Sequence, residues 1–195
     1  AGIDFVNLPD EQMDAPMGMS SGAADIFANT GGVMEAALRT AYEVVTGRPL
    51  PFDGLHVKPI TTLEGVKEAA LTIRGCEPEW SFLEGKTLKI AVAHGLANAN
   101  RLLDRIRKGE AEYHFIEVMS CPGGCIGGAG QPRMTTQAVR KARIEAIFRE
   151  DEGKTMRKSH ENPQIREAYE AFFKAPLGER SHQFLHTHYF GRSRV

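Results

Sequence analysis

Residues 88–119 carry the pattern that most restricts how this chain can fold. The segment 88–95 is an apolar run of strand length that ends in glycine, and the segment 113–119 is a second apolar run. Between them, apolar residues recur at helical spacing from 96 to 106. A strand, a helix and a strand of this size predict two parallel strands joined by a right-handed crossover. We therefore expect an α/β fold in which a small mixed or parallel sheet is flanked by helices.

A glycine-rich loop with two of the three cysteines follows the second predicted strand. From 117 to 132 it reads Glu-Val-Met-Ser-Cys-Pro-Gly-Gly-Cys-Ile-Gly-Gly-Ala-Gly-Gln-Pro, which contains Cys121 and Cys125. Glycine lets the backbone adopt positive φ and approach a bound group, so that N–H groups can point at an anion or a sulfide. In open α/β sheets, ligands bind beyond the carboxyl ends of strands, where this loop begins. The loop predicts half of a metal site, and it favours an iron–sulfur cluster over zinc, which usually needs two more nitrogen or sulfur ligands.

This loop resembles the third cysteine signature of the [FeFe]-hydrogenase catalytic domain, Glu-x-Met-x-Cys-Pro-Gly-Gly-Cys-x-Gly-Gly-x-Gly-Gln-Pro. Two further stretches resemble the same family: residues 21–37, which contain Thr-Gly-Gly-Val-Met-Glu-Ala-Ala, and the tail 181–189, Ser-His-Gln-Phe-Leu-His-Thr-His-Tyr. The similarity runs nearly end to end but covers only the C-terminal half of that domain, because the two earlier cysteine signatures are not in these residues. The start at Ala1 has neither an initiator methionine nor a signal pattern, so we expect the chain to begin within a longer protein.

The resemblance implies that the loop serves the H-cluster, a [4Fe-4S] cubane bridged to a diiron subsite. Cys121 would be a cubane ligand, and Cys125 would be the thiolate that bridges the cubane to the diiron subsite. The residues implied to line the diiron pocket are Met119, Ala28, Thr30 and Gly31. No acid–base residue is assigned, because the family's proton-delivering cysteine and glutamates belong to the other half of the domain.

The implied reaction is the reversible oxidation of dihydrogen to protons and electrons, with ferredoxin or an NAD(P)-linked subunit as electron partner. A cubane needs four ligands and the loop offers two. The missing N-terminal half of the domain, in the same chain or in a separate subunit, would therefore be a required partner, and this fragment alone is expected to be inactive. The resemblance divides the chain into a C-terminal lobe of the H-cluster domain, 1–132, and a helical tail like the hydrogenase small subunit, 133–195.

Two other interpretations stay open. A Nar1-like cytosolic iron–sulfur assembly protein shares the cysteine loop without being a hydrogenase, although the Met-Ser-Cys-Pro-Gly-Gly form and the segment 28–37 look more like a hydrogenase. A degenerate, non-catalytic iron–sulfur protein is the other interpretation. It is kept open by Ala28, where the family usually has glycine, and by Asn29 and Ala129.

Composition excludes several classes of partner. Lys and Arg total 24 and Asp and Glu total 25, and the two signs are interspersed, so neither a nucleic-acid surface nor an anionic-membrane patch is predicted. No apolar run reaches the length of a membrane span. Three unevenly placed cysteines do not suit a disulfide scaffold. The cysteine usage predicts a reducing compartment. The fused small-subunit-like tail resembles the single-chain cytosolic members of the family, which implies a cytoplasmic location.

Periodicity and turn residues predict the other elements. A helix that begins afresh near Gly31, with Val33, Ala37, Ala41 and Val44 on its apolar face, should end at Gly47. The further predictions are strands at 55–60 and 69–74, a capping box at 61–64 that opens a short helix, an amphipathic helix at 135–150 and a helix that starts at Asn162 and Pro163.

The remaining segments are interpreted without a role in the site. The charged run 151–154 is interpreted as a solvated linker. Trp80, Phe82 and Leu83 are interpreted as the edge of a core. No ligand role is given to Cys76, His94, His114, His182, His186 or His188.

Overall fold

A four-stranded mixed sheet lies at the centre of the described part of the chain. The structure is a computed structural model, and it describes residues 2–13, 18–51, 58–59 and 65–193. The strands are β1 Lys58–Pro59, β2 Val66–Thr72, β3 Thr87–His94 and β4 Phe115–Met119, in that order across the sheet. Strand β2 is antiparallel to both β1 and β3, whereas β3 and β4 are parallel. The parallel pair predicted from residues 88–119 is confirmed.

Helices cover both faces of β3. The α-helices of the described residues are α1 Gly22–Asp25, α2 Gly32–Thr46, α3 Leu96–Arg107, α4 Gln137–Gly153, α5 Pro163–Ala168 and α6 Glu179–Leu185. The core cluster on the α3 side is Val66, Ala91, Ala93 and Leu102, and the cluster on the α2 side is Met34, Leu38, Ile90 and Val92. A strand buried on both faces is nearly continuously apolar, as Ile90–Ala93 of β3 are. This layering confirms the predicted fold class, with its mixed sheet, flanking helices and helical C-terminal tail.

Helix α2 begins and ends where the sequence predicts, but it buries a different face. Gly31 and Gly47 flank it with φ of 95° and 63°, a left-handed conformation that glycine adopts without steric cost. The buried side chains include Met34 and Leu38, which pack on β3, whereas Val44 is 45% exposed. The predicted apolar face was wrong because the helix is apolar on both sides. Only packing against the sheet decides which side is covered.

The charged run 151–154 is not a solvated linker. Helix α4 continues through it to Gly153, and the Asp151 side chain is fully buried. Arg39 of α2 donates to the two Asp151 carboxylate oxygens at 2.7 and 2.8 Å, and Arg157 donates to Oδ2 at 2.7 Å. A Cβ on Gly22 would lie 1.9 Å from Asp151 Oδ1, so only glycine lets α1 approach this carboxylate. The interpretation was wrong because Arg39, which binds both carboxylate oxygens of Asp151, comes from helix α2, far away in sequence.

The other predicted elements have mixed outcomes. Strand β2 confirms a strand near 69–74, α4 confirms the helix at 135–150, and α5 starts at Pro163 with the Asn162 side chain accepting from Gln164 N at 2.9 Å. The core-edge interpretation was wrong, because Pro78–Leu83 is a short 3-10 helix with no buried residue. Of the predicted strand at 55–60, only Lys58 and Pro59 are described, and they form β1. The predicted helix start at 61–64 lies outside the described residues.

The C-terminal tail packs directly on the lobe that holds the sheet. Ala23, Ile26 and Ala36 form a buried cluster against Ile147 and Phe148 of α4. The Arg39–Asp151 ion pair joins the same two parts of the chain. A division into domains at residue 132 stays a prediction. Within the described residues, no helix is both long and apolar enough to cross a membrane.

Candidate metal centre

The cysteine loop leaves the carboxyl end of β4 as a series of tight turns. Gly123 and Gly124 have φ of 83° and 87°, and Gly124 N donates to Cys121 O at 3.0 Å. A short 3-10 turn, Cys125–Gly127, follows. Both thiols are free, with Cys121 half-buried and Cys125 exposed. The loop therefore presents two unpaired sulfur ligands on a backbone that glycine allows to turn sharply.

Glycine is also required where the loop meets the segment 28–31. A Cβ on Gly124 would lie 2.7 Å from Ala28 O and 2.8 Å from Thr30 N, both too close for an ordinary contact. Thr30 N donates to Gly123 O at 3.1 Å. The structure thus brings Ala28 and Thr30, two residues implied to line the pocket, against the cysteine loop.

A third glycine lies beside one of the thiols. A Cβ on Gly128 would lie 3.2 Å from Cys121 Sγ, tighter than most real Cβ contacts. Glycine here leaves space around the sulfur. Met119, also implied to line the pocket, is half-buried at the end of β4, paired in register with His94 of β3. It lies two positions before Cys121, at the end of the strand that leads into the loop.

Glu117 connects the strand before the loop to the segment that faces it. Its side chain is 6% exposed, its Oε1 accepts from Gly31 N at 2.6 Å, and its Oε2 accepts from Met34 N at 2.7 Å. Helix α2 has no side-chain cap from its own N-cap residue. A buried carboxylate at a helix N-terminus satisfies unpaired N–H groups and interacts favourably with the helix dipole. Glu117 is therefore a positioning residue that fixes the start of α2, directly after the segment 28–30 that contacts the loop.

Sequence reasoning gave Glu117 no role. The available signal was a single carboxylate within the apolar run 113–119, because such a group must find donors when it is buried. The sequence did not show that those donors belong to α2.

Replacing Glu117 with glutamine should lower the free energy of unfolding by about 1.5–3 kcal/mol, the range for hydrogen bonds to charged groups. The amide keeps the shape but loses the charge, and one of its ends donates instead of accepting. Urea unfolding of the chain would measure the change. The matched control is Glu112→Gln, at a side chain that is 78% exposed, where a change within about 0.5 kcal/mol is expected. Equal unfolding midpoints and slopes for Glu117→Gln and wild type would contradict the positioning role.

Helix α4 holds the cysteine loop from the tail side. Arg143 Nη1 donates to Ile126 O at 2.5 Å. A Cβ on Gly123 would lie 3.4 Å from Arg140 Cδ, and one on Gly127 would lie 3.3 Å from Arg140 Nε. The loop is therefore held between the segment 28–31 and two arginines of the tail.

No complete metal site is formed by the described residues. They contain no group of three or more His, Cys, Asp or Glu side chains placed to hold a metal ion. Cys76 lies on another loop, where its N–H donates to Glu84 Oε2 at 2.9 Å. The rings of His182 and His186 pack on each other with centroids 4.5 Å apart. The arrangement around Cys121 and Cys125 is thus suited to supply part of a shared ligand set.

Two protein families match successive parts of this chain. The family described as iron-only hydrogenase large subunit, C-terminal domain, matches residues 1–129, and the family described as iron hydrogenase small subunit matches residues 137–192. The NADP-reducing hydrogenase subunit HndD of Solidesulfovibrio fructosivorans is 52% identical over 194 residues, which is 99% of this chain and 31% of that protein. Protein NAR1 of Arabidopsis thaliana is 28% identical over 200 residues, which is 96% of this chain and 38% of that protein.

Solved structures show the same similarity. A variant of the [FeFe]-hydrogenase HydA1 from Chlamydomonas reinhardtii superposes with a TM-score of 0.74 at 43% sequence identity, and the match covers 96% of this chain and 51% of that one. The chain therefore spans about half of the solved hydrogenase chain and about a third of the HndD subunit.

Proposed function

Because the chain belongs to the iron-only hydrogenase large-subunit family, through the C-terminal domain of that family, we propose that it forms the C-terminal half of an [FeFe]-hydrogenase catalytic domain. The activity is the reversible oxidation of dihydrogen to protons and electrons. The observation that carries the proposal is the glycine loop with two free thiols, packed against the segment 28–31. Thiolates on a glycine-rich loop are suited to an iron–sulfur cluster.

The residues present fit one side of an H-cluster. Cys121 and Cys125 are the proposed ligands. Gly128 keeps a Cβ away from the Cys121 sulfur, and Gly124 lets the loop pack directly against residue 28. When bound, the H-cluster supplies the redox chemistry of dihydrogen. The polypeptide supplies the ligands, a rigid loop and a lined pocket. Ala28, Thr30, Gly31 and Met119 are the proposed lining, in which the Met119 thioether offers a polarizable contact without a proton to donate.

Another polypeptide segment completes the site in this proposal. A cubane takes four ligands, and the loop offers two. The other ligands must therefore come from a partner segment. The N-terminal half of the domain, which carries the other ligands in this proposal, is that partner, and ferredoxin or an NAD(P)-linked subunit is the proposed electron partner.

The hydrogenase assignment is favoured over an iron–sulfur assembly role. The chain is 52% identical to the hydrogenase subunit HndD but 28% identical to NAR1, and both alignments cover nearly the whole of this chain. A degenerate site is less favoured because the glycines at 124 and 128, where a Cβ would crowd the segment 28–30 or the Cys121 sulfur, are present. The cytoplasmic location stays a prediction.

Reconstitution tests the proposal directly. The 195-residue chain is supplied with iron, sulfide and a preformed diiron cofactor, with and without the N-terminal part of a related large subunit. We expect stoichiometric bound iron and hydrogen evolution only when both parts are present. Turnover by this chain alone would overturn the requirement for a partner. Absence of iron binding and turnover from the combined parts would overturn the hydrogenase assignment, provided that the relative's own two parts recombine to full activity.

A further inference from the structure

A pocket separate from the two thiols lies behind the cysteine loop. Its volume is about 290 Å³, and its walls come from the ends of β2 and β3, the Pro122–Gly123 segment and helix α4. Neither Cys121 nor Cys125 is among its lining residues. The pocket shares Thr30 and the Pro122–Gly123 turn with the proposed cluster site, but its basic side chains, from β2 and α4, lie outside that site.

The wall of this pocket is strongly basic. Lys67, Arg140 and Lys141 contribute three positive charges, and no aspartate or glutamate is among the described lining residues. No carboxylate of the described residues pairs with Lys67 or Arg140, and Lys141 makes only a 3.9 Å contact with the half-exposed Glu145. Cations gathered in a concave site without counterions raise the local concentration of anions.

Polar atoms that lack partners reinforce the charge. Arg140 Nε and Thr30 Oγ1 are buried without a hydrogen-bond partner among the described residues, and both residues line the pocket. Arg140 also packs on the loop, because a Cβ on Gly127 would lie 3.3 Å from its Nε. A planar guanidinium recognises carboxylate and phosphate oxygens with paired hydrogen bonds, and lysines add point charge.

We infer that this pocket binds a small oxyanion, a phosphate or a carboxylate, between Lys67 of β2 and Arg140 of α4. Its volume is at the lower end of the range for small-molecule sites, which favours a compact ligand. The bound anion neutralises Arg140, whose side chain lies against Gly123 and Gly127, so binding stabilises the back of the cysteine loop. The site requires no cluster, so it stands independently of the proposed hydrogenase function.

Isothermal titration calorimetry of the 195-residue chain with inorganic phosphate tests this inference. Ionic strength is held constant with chloride so that general screening does not change. We expect saturable binding at one site, with Lys67→Gln and Arg140→Gln each weakening it by about tenfold or more through the loss of a charge-assisted contact. The control is Lys86→Gln, at an exposed lysine outside the pocket, which should bind phosphate like wild type.

Lys67 provides the decisive variant because its side chain is exposed on β2, so its replacement leaves the fold intact even if Arg140→Gln loosens the loop. Circular dichroism confirms that each variant is folded. Absence of saturable heat at millimolar phosphate would overturn the inference. So would wild-type affinity in Lys67→Gln, or an equal loss in Lys86→Gln, because either result assigns the binding to general surface charge.

Discussion

Replacing Cys125 with serine in the complete catalytic domain is expected to abolish hydrogen turnover, with a loss of more than about 100-fold. Changes to groups that merely support metal ligands already cost up to about 100-fold. A serine hydroxyl is not deprotonated at neutral pH and is a harder ligand than the thiolate that iron–sulfur clusters select. The measurements are bound iron, the electron paramagnetic resonance spectrum of the cluster and hydrogen evolution. The same outcome is expected for Cys121→Ser.

The third cysteine provides a matched control. Cys76 lies on the loop before the 3-10 helix Pro78–Leu83, and Cys76→Ser should retain iron content and turnover. Cys125 is exposed, so its replacement should change the free energy of unfolding by no more than about 0.5 kcal/mol. An unchanged free energy of unfolding together with lost turnover would show that the variant has lost a ligand and kept its fold. Wild-type turnover and a normal cluster spectrum in Cys125→Ser would show that the ligand assignment is wrong.

Replacing Asp151 with alanine is expected to lower the free energy of unfolding by about 3–5 kcal/mol, the usual cost of removing one partner from a buried ion pair. Arg39, which is mostly buried, would lose two hydrogen bonds and, among the described residues, would keep Glu35 as its one acidic partner, at 2.6 Å. A domain is stabilised by about 5–15 kcal/mol in total, so the variant should be close to unfolding. Urea unfolding of wild type and variant measures the difference.

The neighbouring residue Glu152 is exposed, so Glu152→Ala is the control and should change the free energy of unfolding by no more than about 0.5 kcal/mol. Burial opposes ionisation of Asp151, but hydrogen bonds from Arg39 and Arg157 outweigh it and keep the pKa of Asp151 below its ordinary value. The stabilisation is therefore fully present above the unfolded pKa of about 3.9 and is lost as pH falls through the lower folded pKa. The Asp151→Ala variant should lack this part of the acid dependence. Equal acid dependence in the two proteins would contradict a stabilising, ionised Asp151.

The sequence by itself determined the features whose causes are local. The apolar runs and helical spacing of residues 88–119 predicted the parallel strand pair, because a strand covered on both faces, such as β3, is mostly apolar. The end of α2 at Gly47 and the start of α5 at Asn162 followed from backbone conformations and capping bonds that these residue types favour. The cysteine loop was also recognisable from the sequence, because its tight turns need glycine at fixed positions, such as 123 and 124.

Only the tertiary structure decided what depends on residues distant in sequence. An apolar pattern does not distinguish two faces of α2 that are both apolar, so packing on β3 selected Met34 and Leu38 for burial. Carboxylates are ordinarily solvated because burial is costly without donors. Asp151 can be buried because Arg39, 112 positions away in sequence, hydrogen-bonds to its carboxylate. Glu117 can be buried because the backbone N–H groups of Gly31 and Met34, 86 and 83 positions away, donate to its carboxylate. Long-range partners of this kind leave no local pattern, and they determine where the cysteine loop meets the segment 28–31.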